Sequence, residues 1–176
     1  SMGGYITLAL AEKNPGLLKG FGFFNSTALP DSEEKKQARL RSVEFMQKHS
    51  AAFFVRHMMP GLFSVDFKSR YPEKVKALIK HSEHFKTEAL VAYYHAMRQR
   101  PGRTNVLKQA NVPVLFIAGK EDTVGPLEEI LPQVTLPAIS VVHIFSDSGH
   151  MSMVETPAVN PALSHFICFC TEAPFQ

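Results

Sequence analysis

Cysteine is nearly absent from this chain: 176 residues contain two, Cys168 and Cys170. One residue apart, they cannot close a long loop, which excludes a disulfide scaffold. They lie in the apolar run Phe166-Ile167-Cys168-Phe169-Cys170, which predicts buried thiols. Free thiols fit a reducing compartment, so a cytoplasmic location is expected. Long apolar runs are also lacking. None reaches the ~18 residues of a membrane span, and no basic segment followed by an apolar run opens the chain, so neither an anchor nor a leader is expected. Charge of one sign is scarce as well. The 19 Lys and Arg against 16 Asp and Glu leave a formal charge of +3. That is too little to argue for nucleic acid or an anionic membrane as partner. Internal repeats and low-complexity tracts are absent.

What remains is an ordinary globular composition, 45% hydrophobic and 20% charged. Residues 5–13 read as a helix ended by Asn14-Pro15-Gly16. Leu17 to Phe24 reads as a buried strand, closed by the polar Asn25-Ser26-Thr27. From Asp31 to about Arg100 the character changes. A charged helix runs to about His49 and continues through His57. Further helices follow at Pro72–Ile79, with Pro near the start, and at Thr87–Met97. In this block Phe53, Phe54, Phe63 and Phe85 either line a substrate pocket or pack in the core, and the core is expected. His57, Met58 and Met59 either pack there or line a substrate pocket. His81 and His84 have ligand spacing, but no third ligand is near, so surface polarity is expected and no metal site. Buried strands return at Val112–Gly119 and Ile139–Phe145, with a short helix at Pro126–Leu131 between them and a last helix at Pro157–Cys170. Apolar strands alternating with helices argue an α/β fold with a parallel sheet covered on both faces. The expected organisation is an α/β core from residues 1–30 and 109–176, with an all-helical insertion over 31–108.

Three motifs fall where a parallel sheet puts its active-site loops, just past the strand ends. Ser1-Met2-Gly3-Gly4 stands directly before a helix. It is the second half of the nucleophile elbow G-x-S-x-G, in which a sharp turn exposes the serine and small residues relieve crowding. Alone, the motif is weak and also fits the scar of a removed tag. The Met2 N–H is a candidate oxyanion-hole donor, aided by the helix dipole. Gly119-Lys120-Glu121-Asp122 follows a strand. A carboxylate there can hold an imidazole in its useful tautomer; Asp122 is the candidate, with Glu121 as rival. Ser148-Gly149-His150 follows the last strand, and its histidine can reach both an acid and a serine.

The order Ser1, Asp122, His150 and the elements that carry them resemble the α/β-hydrolase superfamily over essentially the whole chain, beginning at the elbow. The chain is similar to small bacterial serine hydrolases with a helical cap. The resemblance implies a partial α/β-hydrolase fold, about three parallel strands with flanking helices and an all-helical cap. It also implies an ester or related acyl hydrolase with nucleophile Ser1, acid Asp122 and base His150, no metal, no cofactor, and a small-molecule ester-like substrate. The first five strands of that fold, and the loop that supplies a second oxyanion donor, are not in this chain. A bare apolar edge at Leu17–Phe24 is therefore expected to pair with a second copy or with a missing N-terminal half. The competing expectation is a truncated, non-catalytic fragment that self-associates through that edge.

Overall fold

The computed structural model describes residues 1–172. They form two compact units, one of Ser1–Leu29 with the chain from Gly102 onward, the other of Pro30–Pro101.

The first unit is α/β. It comprises α1 (Met2–Lys13), β1 (Phe21–Phe24), α7 (Thr104–Lys108), β2 (Val114–Gly119), α8 (Leu127–Ile130), β3 (Ser140–Phe145), α9 (Ser152–Glu155) and α10 (Val159–Glu172). The strands form a parallel sheet in the order β1-β2-β3, with Phe21 opposite Val114 and Val114 opposite Ser140. All six residues of β2 are buried, as a nearly continuous apolar run predicts for a strand covered on both faces. Alternation divides them. Val114, Phe116 and Ala118 join a core with Leu8, Phe23, Leu107 and Ile130, in which Phe23 and Phe116 stack at 5.2 Å. Leu115 and Ile117 turn to the other face, against Val159, Phe166 and Cys170.

Several expectations are corrected here. The first strand is four residues long, because Pro15-Gly16-Leu17 forms a 3-10 turn that leaves Leu17 64% exposed. Cys170 is buried, but Cys168 is exposed. A helix carries only one apolar stripe inward, and a continuous apolar run must also populate the other face. Both-face coverage fails at β3: Val141 and Phe145 pack inward, while Val142 and Ile144 are 40% and 45% exposed. The return to the α/β unit falls at Gly102, earlier than the sequence boundary, because Leu107 of α7 is fully buried in its core.

The second unit is all helical: α2 (Glu33–His49), α3 (Ala51–Met58), α4 (Val65–Arg70), α5 (Pro72–Ser82) and α6 (Thr87–Gln99). Ser50, at φ 87°, separates α2 from α3. Its core holds Val43, Met46, Ala51, Phe54, Val55 and Leu90. Phe63 is buried too, but Phe53 and Phe85 are 39% and 53% exposed. Phe53 instead lies in the open against His57, with ring centroids 4.3 Å apart and the planes tilted by 37°. Asp31, at the start of this unit, accepts hydrogen bonds from Arg39 and, at 2.8 Å, from Arg100 at its end. Among the described residues, no helix is long and apolar enough to cross a membrane, and no three His, Cys, Asp or Glu side chains group as metal ligands.

Candidate active site

Parallel strands deliver their following loops to one end of the sheet. The loop after β2 and the loop after β3 are zipped together there. Lys120 N–H donates to the Phe145 carbonyl at 2.8 Å, and Glu121 N–H donates to the Ser148 carbonyl at 2.9 Å. Gly119 makes this approach possible, since a Cβ on it would lie 2.3 Å from the carbonyl oxygens of both Ser148 and Gly149. The zipper brings two of the candidate residues into contact. His150 Nδ1 lies 2.8 Å from Asp122 Oδ2, with Asp122 3% and His150 8% exposed. Glu121, the rival acid, is exposed.

Four donors converge on the Asp122 carboxylate. Val124 N–H and Gly125 N–H reach Oδ1 at 2.8 and 2.9 Å, while His150 Nδ1 and Asn25 Nδ2 share Oδ2. Burial alone pushes this carboxyl up. The hydrogen bond and charge of His150, with the Gly125 and Asn25 donors, outweigh it and hold Asp122 below the ordinary carboxyl value. An ionised acid facing Nδ1 keeps the proton there and leaves Nε2 as the basic nitrogen.

Ser1 occupies the N-cap of α1, and its side chain makes no capping hydrogen bond. Its backbone is held against the end of β1. Ser1 N donates to the Phe24 carbonyl at 2.7 Å, and Ser26 Oγ donates to the Ser1 carbonyl, also at 2.7 Å. The next residue along from Phe24 is Asn25, which bonds Asp122. Adjacent residues at the end of β1 therefore hold the serine segment and the acid. The glycine that permits this is Gly4: a Cβ there would lie 2.3 Å from Ser26 Oγ, whereas one on Gly3 would meet nothing within 4 Å. Met2 is the first residue of α1, and amides in a first helical turn have no partner within the helix.

Residues 1–156 match the family profile described as Serine aminopeptidase, S33. The chain belongs to this family of α/β-hydrolases. No curated protein matches it significantly. Among solved structures, an esterase from Thermogutta terrifontis with malate bound is 27% identical at a TM-score of 0.89, over 97% of this chain and 63% of that one. An enol-lactonase from Burkholderia xenovorans is 19% identical at a TM-score of 0.81, over 95% and 63%. An esterase from Exiguobacterium antarcticum is 16% identical at 0.78, over 97% and 64%. The last two likenesses are of fold alone. This α/β-hydrolase chain spans less than two thirds of the length of each of the three.

Two residues of this candidate site carry no sequence signal of the usual kind. Asn25 reads as a strand terminator, yet it is 1% exposed and its amide bridges Asp122 and the Gly149 carbonyl, at 3.0 and 3.1 Å. Its one available signal is its place directly after a buried parallel strand. Glu155, five residues past His150, accepts from the Gly149 and Met151 amides at 3.0 and 3.1 Å. Beneath them Ser148 Oγ donates to Ser152 Oγ at 2.7 Å, and Ser152 Oγ donates to the Gly149 carbonyl at 3.2 Å. A cleft of about 190 Å³ in the same unit, lined by Leu18, Phe21, Val106 and Val112, sits where strands begin, away from the loops that carry Asp122 and His150.

Proposed function

We propose that this chain acts as a serine hydrolase on an ester or related acyl bond of a small molecule, through an acyl-enzyme. His150 Nε2 takes the Ser1 Oγ proton as Oγ attacks the acyl carbon. The tetrahedral oxyanion is received by the Met2 N–H at the positive end of α1. The bond from carbon to the leaving oxygen then breaks, and His150 returns its proton to the departing alcohol. Water attacks the acyl-enzyme with His150 again as base, releasing the carboxylic acid and restoring Ser1. Asp122 stays ionised throughout. No cofactor enters these steps. The helical insertion, residues 31–108 in the sequence reading, is assigned the role of a cap that screens the site from water and sets acyl or alcohol preference.

The observation that carries this reading is the buried 2.8 Å pair of His150 and Asp122. It is supported by a serine at a helix N-cap whose hydroxyl is not used for capping. Stopped-flow hydrolysis of a p-nitrophenyl ester is the test. A burst of nitrophenol matching the enzyme concentration is expected, and it disappears in Ser1→Ala. A burst that survives Ser1→Ala refutes the reading.

The other reading, a non-catalytic fragment that self-associates, is favoured by the place of β1 at an edge of the sheet, where among the described residues it pairs with β2 alone. Light scattering at low micromolar concentration separates the two. A dimer lacking the burst supports the fragment, and a monomer removes that reading.

A further inference from the structure

We propose that Asn25 and Glu155 are positioning residues for His150, one tying its acid to the residue before it, the other bracketing the residues on both its sides. This deepens the hydrolase reading and rests on it for its kinetic arm.

Asn25 does more than end a strand. Its backbone nitrogen donates to the Ile117 carbonyl at 2.9 Å. Its φ of 47° lies in the left-handed region, which asparagine tolerates better than most residues. The orientation of the side-chain amide is dictated by its partners. Both neighbours, Asp122 Oδ2 and the Gly149 carbonyl, are acceptors, so a flipped amide would set oxygen against oxygen twice. One NH2 group thus joins the acid's loop to the base's loop. It also supplies the fourth donor to a carboxylate with about four lone-pair sites. Without it, Asp122 Oδ2 keeps only the imidazole.

Glu155 works from the opposite side. A single oxygen, Oε1, accepts from the amides of Gly149 and Met151, the two residues flanking His150. Two backbone bonds astride one residue limit its φ and ψ, and so the direction of its side chain. The Gly149 carbonyl is held as well, by Asn25 Nδ2 and Ser152 Oγ. Both peptide groups of Gly149 therefore have side-chain partners. Neither Asn25 nor Glu155 is assigned contact with the reacting atoms. Their effect is to aim Nε2 and keep Nδ1 on Asp122, and misplacement of a catalytic group by about an ångström costs on the order of 100-fold in rate.

The test uses Asn25→Ala, Glu155→Ala and Glu155→Gln in the full protein. The alanine variants are expected to lower kcat by about 10- to 100-fold with KM within about twofold. Glu155→Gln keeps an oxygen acceptor for both amides, and is expected to recover most of the Glu155→Ala loss. A second readout needs no turnover. The Nδ1–H proton of His150 gives a slowly exchanging, downfield NMR signal when bonded to a carboxylate. It should weaken or vanish in both alanine variants and persist in Glu155→Gln. If the alanine variants do not fold, Asn25→Ser, too short to bond both acceptors, carries the test against Glu155→Gln. Variants that lose thermal stability alone, with kcat and the Nδ1–H signal intact, overturn the proposal. If the parent hydrolyses no ester, the hydrolase reading fails, while the imidazole signal still decides whether these two residues hold His150.

Discussion

Serine opens helices in both units, with different consequences. In the helical unit Ser32, Ser50 and Ser64 stand at the N-caps of α2, α3 and α4, and each hydroxyl accepts from a backbone amide three residues on. In the α/β unit Ser1 stands at the N-cap of α1 and makes no such bond. The carboxylates repeat the contrast. Each unit buries an aspartate, Asp31 or Asp122, and in each the opposing donors outweigh burial and hold the carboxyl below its ordinary value. Asp31 is held by Arg39 and Arg100, whose guanidiniums offer donors and no acceptor. Asp122 is held by an imidazole, a group that exchanges protons. Burial of polar groups therefore does not single out the chemical unit. What sets the proposed catalytic unit apart is a hydroxyl withheld from capping and a carboxylate paired with an imidazole.

The largest effect expected from this contrast is on turnover. Ser1→Ala should lower kcat on the order of 10⁶-fold, as loss of a nucleophile does in serine hydrolases. Asp122→Asn, which presents an NH2 to the imidazole and favours the wrong tautomer, should lower it on the order of 10⁴-fold. Asp31→Asn should leave the kcat of the folded protein within about tenfold, far from either loss. Steady-state kinetics on a chromogenic ester check all three. Equal losses at Asp31 and Asp122 would break the comparison.

The next largest effect falls on stability. Asp31 closes a network between residues 31, 39 and 100, the two ends of the helical unit. Removing it takes the carboxylate from two largely buried guanidiniums, and breaking a buried ion pair from one side costs about 3–5 kcal/mol. Denaturant unfolding of Asp31→Ala should show a loss of that size. An unchanged midpoint would mean that the arginines' other contacts, at Met97 and Tyr94, suffice.

These partners explain what could be read from the sequence. The apolar run Val114–Gly119 announces a strand covered on both faces, and Asp122 and His150 could be singled out because each follows an apolar run that reads as a strand. Helix α2 is legible from its charged start and apolar spacing, α5 from the Pro near its start, and α6 from the Pro101-Gly102 that closes it. Asn25 was not legible as a site residue, because its bonds reach across 97 and 124 positions of the chain. The bond of Asp31 to Arg100 spans 69. Local patterns carry periodicity and strand ends; they do not carry which distant donor fills a lone pair. The same limit explains Phe53, Phe85 and Cys168, whose types predict burial and whose places on the helices expose them.

A smaller effect appears in acid. Asp31 and Asp122 both have folded values below the ordinary 3.8. A depressed carboxyl contributes stability that is fully present above its unfolded value and is lost as pH falls through the folded one. Both contributions should therefore stand above about pH 5 and decline below about pH 4. Unfolding midpoints measured down that range should fall in the parent and fall less steeply in Asp31→Asn and in Asp122→Asn. A parent curve that is flat in acid would mean that neither carboxyl is depressed.

The smallest effect returns to the serines. Ser32 Oγ accepts from Lys35 N–H at 3.2 Å, and Glu33 and Glu34 add negative charge to the first turn of α2. Replacing a capping serine by alanine removes an acceptor that the first-turn amides cannot find within the helix, at about 1 kcal/mol. Ser32→Ala should lose about that much in unfolding free energy, with the burst on an activated ester intact. Ser1→Ala should do the reverse, abolishing the burst while lowering stability by less than Ser32→Ala, because there is no capping bond for it to remove. The crossed pair isolates the hydroxyl's use from its position, since both serines sit at the same point on a helix. If Ser1→Ala costs as much stability as Ser32→Ala, the Ser1 hydroxyl is a cap in solution, and its availability for attack on an acyl carbon is gone with it.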